Sequence, residues 1–409
     1  MNRVVVTGIG AVTPLGNNAK DYWQGLKNGK NGIDRISKFD TEGFKAHVAG
    51  EVKDFNPLDR FEKGFIGKTD LYTQYALYST DEAIEDSGII GKVEPDEFGV
   101  YFGSGVGGIN TLCEEHIHLL EKGSRRVNPQ FVAKMIINIA AGQIAIRYNA
   151  HGSTMSISTA CATGTTAIGE AYRAIKDGYL KAAVCGGSEA AVTPLTVAGF
   201  SNCMALTQSE DINAASIPFD KRRSGFVMGE GAATLILEDY ENAVKRGAHI
   251  YAEVVGYGAT CDAHHITAPN PEAEYVAKAI NMALKDEDVN PSELYINAHG
   301  TSTSLNDATE TRAFKRAFGE GAKELSISST KSMTGHMLGA AGAAEAIACI
   351  KALEDGIIPP TINYLEPDEE LDLDYTPNVA KEKAIKYAIS TSLGFGGHNA
   401  CLAFKKYED

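Results

Sequence analysis

The chain has 409 residues, 44% of them hydrophobic and 22% charged, with a formal net charge of −15 from 38 basic and 53 acidic side chains. This composition excludes a disordered or collagen-like chain and fits one large soluble domain or two of ordinary size. An acidic surface repels nucleic acid and anionic membrane unless a local basic patch exists, so neither is an expected partner.

Residues 3–11 (RVVVTGIGA) read as a buried strand running into a glycine turn, with no signal-peptide pattern before it. No apolar run reaches the ~18 residues of a membrane span, and a cytoplasmic protein is expected. Residues 98–105 (FGVYFGSG) form a second strand and turn, and 153–160 a third, leading into a helix over 162–177. Ala167, Ile168, Ala171 and Ile175 make one apolar stripe on that helix, and Gly178 stands where a C-terminal cap belongs. A further strand is expected at 182–190 (AAVCGGSEA). The same series then recurs: 251–259, 293–300, 325–330 leading into a helix over 337–353, and 387–397. Four elements in the same order indicate an internal duplication, with halves at 1–250 and 251–409 and insertions in the first half around 14–70 and 195–230. Strands alternating with helices predict an α/β fold.

Seven cysteines, an odd number without a C-x-x-C spacing, argue against a disulfide framework and against a zinc site. One of them stands apart. Cys161 lies between the third strand and its helix, in Ser158-Thr-Ala-Cys-Ala-Thr-Gly164. A strand–turn–helix corner exposes a nucleophile, and the helix N-terminus favours its thiolate. The alternative is a buried structural thiol. His299 (in NAHGTST) and His336 (in KSMTGHMLG) each follow a strand and are flanked by glycine and hydroxyl residues, as equivalent strand ends would be. They are candidates for proton transfer or oxyanion stabilisation, or else satisfied core histidines. Lys331 and Glu345, fourteen residues apart, could form a buried ion pair that orients them. Glycine is enriched, 42 residues or about 10% against the usual ~7%, and clusters at strand ends. One cluster, Gly103-Ser-Gly-Val-Gly-Gly108, matches G-x-G-x-x-G, which alone is a weak sign of a dinucleotide site.

Taken together, these segments resemble the β-ketoacyl-[acyl-carrier-protein] synthase family. The resemblance rests on Thr159-Ala-Cys161-Ala-Thr-Gly, Asn297-Ala-His299-Gly-Thr-Ser-Thr303, Lys331-Ser-Met-Thr-Gly-His336 and Leu393-Gly-Phe395-Gly-Gly-His-Asn399, in that order along the whole chain. The Cys-His-His set is similar to the elongating branch. The segments 219–231 and 262–269 are similar to its type II members.

The resemblance implies a thiolase-like, five-layered αβαβα fold and a homodimer. It implies no cofactor and no metal, with acyl- and malonyl-loaded acyl carrier protein as partners. By similarity, Cys161 carries the acyl group, His299 and His336 stabilise an enolate, and Lys331 and Glu345 support them. Phe395 supplies an oxyanion-hole N–H and acts as a gate. Thr301 and Thr303 would hold the pantetheine arm, with His265 also at the substrate. Val106 and Phe200 would line the acyl pocket, with Phe131 from the other subunit. Val106 stands where the family often has isoleucine, which implies a roomier pocket. Leu393 and His398 depart from the usual aromatic residue and threonine. An acidic carrier needs a basic patch on an acidic enzyme, for which Lys63, Lys68, Arg125 and Arg126 are candidates.

Overall fold

A computed structural model describes residues 1–408. The first half supplies β1 (Val4–Val12), β2 (Phe98–Gly103), β3 (Thr154–Met155), β4 (Ala182–Glu189) and β5 (Gly231–Asp239). The second supplies β6 (Ala252–Cys261), β7 (Leu294–Asn297), β8 (Ser326–Ser328), β9 (Tyr387–Gly394) and β10 (His398–Lys406). The strand order is β8-β7-β9-β10-β6-β1-β5-β4-β2-β3. Read outward from the centre, each half runs first, last, fourth, second, third. In each half the second strand is parallel to the third and fourth, while the last is antiparallel to its neighbours. The halves meet through an antiparallel pairing of β1 with β6, Val4 opposite Val254 and Val6 opposite Ala252. The duplication read from four elements therefore extends to a fifth, the antiparallel strands β5 and β10.

Helices complete the layers. α1 (Leu71–Ser87) and α2 (Ile139–Tyr148) cover the outside of the first half-sheet. α4 (Glu274–Leu284) covers the second half-sheet, with α5 (Ser304–Phe318) packed on it. Between the half-sheets lie α3 (Thr163–Lys176) and α6 (Ala341–Asp355), in contact with each other and with strands of both halves. The result is the expected five-layered αβαβα arrangement. α6 is buried on almost every side, as its small apolar residues imply. α3 ends in a Schellman closure: Gly178 takes φ +83°, and the Gly178 and Tyr179 N–H groups donate to the carbonyls of Ile175 and Ala174.

The two central helices cross at glycines. A Cβ on Gly164 would lie 2.7 Å from the Ala343 nitrogen, and one on Gly342 would overlap the Thr165 hydroxyl. That close approach brings the helix entrances together. Each entrance is a short 3-10 turn, Ala160–Ala162 before α3 and Leu338–Ala340 before α6. Each turn begins on a left-handed residue, Ala160 at φ +50° and Leu338 at φ +47°.

Two expectations change here. The strand expected at 153–160 is only Thr154–Met155, because the chain leaves the sheet edge to form the turn that carries Cys161. The helix expected over 337–353 starts at Ala341, since residues 338–340 form the matching turn. The two insertions pair with one another: the Gly50 N–H donates to Met228 and the Glu230 N–H to Gly50. Gly342→Ala is expected to lower folding stability by about 1–3 kcal/mol through overpacking at the helix crossing, read as a shift of the urea midpoint.

Candidate active site

Cys161 is the middle residue of the first turn and is half-buried. Its sulfur opens into a cavity of about 320 Å³ lined also by Phe200, His299, Thr301, Thr303, His336 and Phe395. Cys161 Sγ and one ring nitrogen of each histidine lie within 4.8 Å of one another. The imidazole centroids are 5.2 Å apart, with the rings nearly perpendicular.

Different devices hold the two histidines. His299 follows β7, and its backbone N–H donates to the buried carboxylate of Glu310 at 2.6 Å; the next N–H, of Gly300, does the same at 2.8 Å. Thr391 on β9 donates to the same carboxylate. His336 lies eight residues past β8, so the two histidines do not occupy equivalent strand ends. Its backbone joins the insertion segment: the His336 N–H donates to Val227, and the Gly229 N–H donates to His336. The Phe226 ring packs edge-on against its imidazole, centroids 5.3 Å apart. Nδ1 of His299 and both ring nitrogens of His336 are buried and have no hydrogen-bond partner among the described residues. Such groups are costly to bury unless a ligand completes them.

Lys331 and Glu345 form a buried ion pair beneath this cluster. Burial holds both imidazoles well below the usual histidine range, and the Lys331 charge pushes them the same way. Both are therefore neutral at pH 7. Burial lifts Glu345 to about 7 against the pull of Lys331. Burial also pushes the Cys161 thiol up to about 11, opposed by Lys331 and by the Phe395 N–H aimed at the sulfur. The helix entrance alone does not make a standing thiolate, as the sequence pattern had implied. Cysteine and histidine are zinc donors. A dication here would meet the same Lys331 charge that already disfavours protons on the imidazoles.

Residues 1–243 match the model of the β-ketoacyl synthase N-terminal domain, and residues 251–365 that of its C-terminal domain. The chain belongs to the β-ketoacyl synthase family. It is 49% identical to the 3-oxoacyl-[acyl-carrier-protein] synthase 2 of Synechocystis sp., over 99% of this chain and 98% of that one. It is 48% identical to the enzyme of the same name from Staphylococcus aureus, over 99% of each. Among solved structures it resembles the ishigamide ketosynthase/chain length factor, with a TM-score of 0.93, 36% identity and full coverage of both chains. It also resembles a type II polyketide ketosynthase solved with its acyl-carrier protein, with a TM-score of 0.92 and 35% identity over 99% of this chain and all of the other. The protein is thus a condensing enzyme of the thiolase superfamily.

The synthase cavity does not gather every residue expected of it. Lys331 and Glu345 lie behind its wall. His265 is exposed and outside the lining; its Nδ1 accepts the Thr267 and Ala268 N–H groups at 3.1 Å, which shapes the loop that does line the cavity. Val106 and Phe131 are also outside the lining within this single chain. Leu393 is buried among Ala273, Val276, Ala277 and Ala313, so the start of the glycine loop is anchored. Gly396 and Gly397 then take φ +90° and +80°. Lys63, Lys68, Arg125 and Arg126 are exposed, with no ion pair among the described residues. No described helix is long and apolar enough to cross a membrane.

Residues 103–108 are not a phosphate cradle. The N–H groups of Gly105 and Val106 are already taken by the buried Glu189 carboxylate, at 2.8 and 3.2 Å. Glu189 and Glu310 were missed by sequence reasoning. Only their position at the end of a strand or inside a helix could have marked them, and a lone acid there reads as surface. Lys331→Met is expected to raise the titration midpoints of His299 and His336, since it removes a cation that opposes their protonation. Side-chain NMR across the acid range would measure the shift, and unchanged midpoints would count against that electrostatic account.

Proposed function

We propose that the protein elongates fatty acyl chains by decarboxylative Claisen condensation with malonyl-acyl carrier protein. Cys161 attacks the acyl-carrier thioester; its proton goes to the departing carrier thiol, and the acyl group stays on the sulfur. Malonyl-carrier then enters, with its pantetheine arm along Thr301 and Thr303, whose hydroxyls are 3.0 Å apart on the cavity wall. His299 and His336 donate to its thioester oxygen, and loss of CO2 leaves an enolate stabilised by those bonds. The enolate carbon attacks the acyl carbonyl, whose oxyanion faces the N–H groups of Cys161 and Phe395. Collapse expels the Cys161 thiolate, which takes up a proton. The product is a 3-oxoacyl-carrier two carbons longer, with CO2 and free carrier.

The observation that carries this reading is the pair of neutral, buried imidazoles with open ring nitrogens facing one half-buried cysteine. A neutral imidazole can donate one hydrogen bond without supplying a mobile proton to the enolate. Fatty acyl substrates are favoured over polyketide ones by the higher identity to the 3-oxoacyl synthases. A homodimer is supported by β3, an edge strand, and by exposed apolar residues at Leu120, Val132, Ile146 and Met155. Phe131 lies in the same helix as Val132 and would reach the partner's acyl pocket from there.

Acyl-carrier is expected to leave an acyl mass adduct on Cys161, and Cys161→Ala to abolish both adduct and condensation; condensation surviving in that variant would refute the assignment. His299→Asn and His336→Asn should each retain the adduct while losing about 10²–10³-fold in malonyl decarboxylation. With both imidazoles neutral from the start, decarboxylation should show no loss from histidine protonation at pH 7 and should fall as acid charges the rings. Acylation should instead rise with pH, because the Cys161 thiol titrates high. Charge reversal at Lys63, Lys68, Arg125 and Arg126 together should raise KM for carrier-loaded substrate, with less effect at high salt.

A further inference from the structure

The duplication gives the fold two helix-entrance turns, and their fates differ. In the first, the N–H of the middle residue, Cys161, stands with the Phe395 N–H beside the open cavity. In the second, the equivalent residue is Gly339, and its N–H donates to Glu189 Oε2 at 3.0 Å. The same carboxylate takes the Gly105 N–H at 2.8 Å, the Val106 N–H at 3.2 Å and the Ser104 hydroxyl at 2.8 Å. Glu189 is completely buried. The site is built around it: a Cβ on Gly105 would sit 2.6 Å from Oε2, and one on Gly339 would sit 2.9 Å from it. One turn is thus left open for an oxyanion that forms during reaction. The other is filled by an anion from the chain itself.

Gly339 is three residues past His336, and between them Leu338 holds φ +47°. The His336 ring has no hydrogen-bond partner of its own among the described residues. Its placement depends on packing and on the backbone either side. Val227 and Gly229 hold the backbone at His336 itself. On the far side of the strained residue, the side-chain anchor is Glu189. We propose that Glu189 is a positioning residue for His336: its carboxylate, plugged into the second turn, clamps residues 336–339 and the 104–106 loop in the arrangement that decarboxylation needs. This inference rests on the condensing reaction proposed above.

A carboxylate suits the site and an amide does not. Each oxygen of Glu189 accepts from two donors, so a glutamine NH2 in either orientation would face a backbone N–H. Glu189→Gln is therefore expected to lower malonyl-carrier decarboxylation about ten- to a hundredfold, while acyl transfer to Cys161 changes less than about threefold. Glu189→Ala leaves the hole empty, and added formate should restore part of its decarboxylation where formamide does not. A third readout needs no substrate. Glu189 lies close enough to disfavour the Cys161 thiolate. Alkylation of Cys161 by iodoacetamide in the glutamine variant should therefore reach its midpoint at lower pH than in wild type.

Equal loss of both half-reactions, or no loss in decarboxylation, would overturn the proposal. An alanine variant that folds and ignores formate would also overturn it. If the alanine variant does not fold, the split in the glutamine variant decides. Wild type assayed alongside separates the two levels: failure of wild type to decarboxylate malonyl-carrier counts against the condensing reading. In that case the His336 ring signals in NMR decide for Glu189: they should shift in the glutamine variant, and unchanged signals overturn its positioning role.

Discussion

The active site depends on how closely the two central helices approach. Gly164 and Gly342 have no side chains at the crossing, so α3 and α6 meet backbone to backbone. The two entrance turns then touch, with the Gly339 carbonyl only 3.1 Å from where a Gly164 Cβ would stand. Cys161 comes from one turn, and His336 from the approach to the other. Interiors are packed too densely to absorb an extra methyl at such a point, so helix spacing and catalytic spacing are one constraint.

The second organising feature is a single buried cation. Lys331 pairs with Glu345 below the cavity, where low polarity lets its charge reach Cys161, His299 and His336. It adds to burial in keeping the imidazoles uncharged and eases ionisation of the thiol. Burial acts on the thiol in the opposite direction and with larger effect, so the cysteine rests protonated. Glu310 and Glu189 act on backbone instead, each collecting the N–H groups of a loop that follows the second strand of its half.

Much of the fold was legible because its parts carry strong local signals. The buried strands β1 and β6 read directly from apolar runs that end in glycine. The α3 stripe and its Gly178 closure read from helical spacing and from φ +83°, which glycine adopts freely. β5 and β10 do not stand out as a repeat in the sequence, although 231–239 is apolar, because that segment follows an irregular insertion that hides the period. The third strand is shorter than its sequence suggests, since residues 156–159 have strand-like composition but bend toward the turn. Cys161, His299 and His336 stood out by their glycine and hydroxyl neighbours. Glu189 and Glu310 did not, because only long-range contacts reveal that each is buried beneath several N–H donors.

The amino-acid sequence by itself determined the α/β class and the duplication, and it singled out the three side chains that meet in the cavity, since periodicity and short motifs are local properties. Only the tertiary structure decided that the two histidines are held by different means and are neutral. It also decided that the thiol titrates high and that the second turn is filled by Glu189. These outcomes depend on burial and on distances between residues far apart in the chain. The net charge of −15, first a statement about avoided partners, leaves exposed Lys63, Lys68, Arg125 and Arg126 as unpaired cations among the described residues, a contrast that only folding creates.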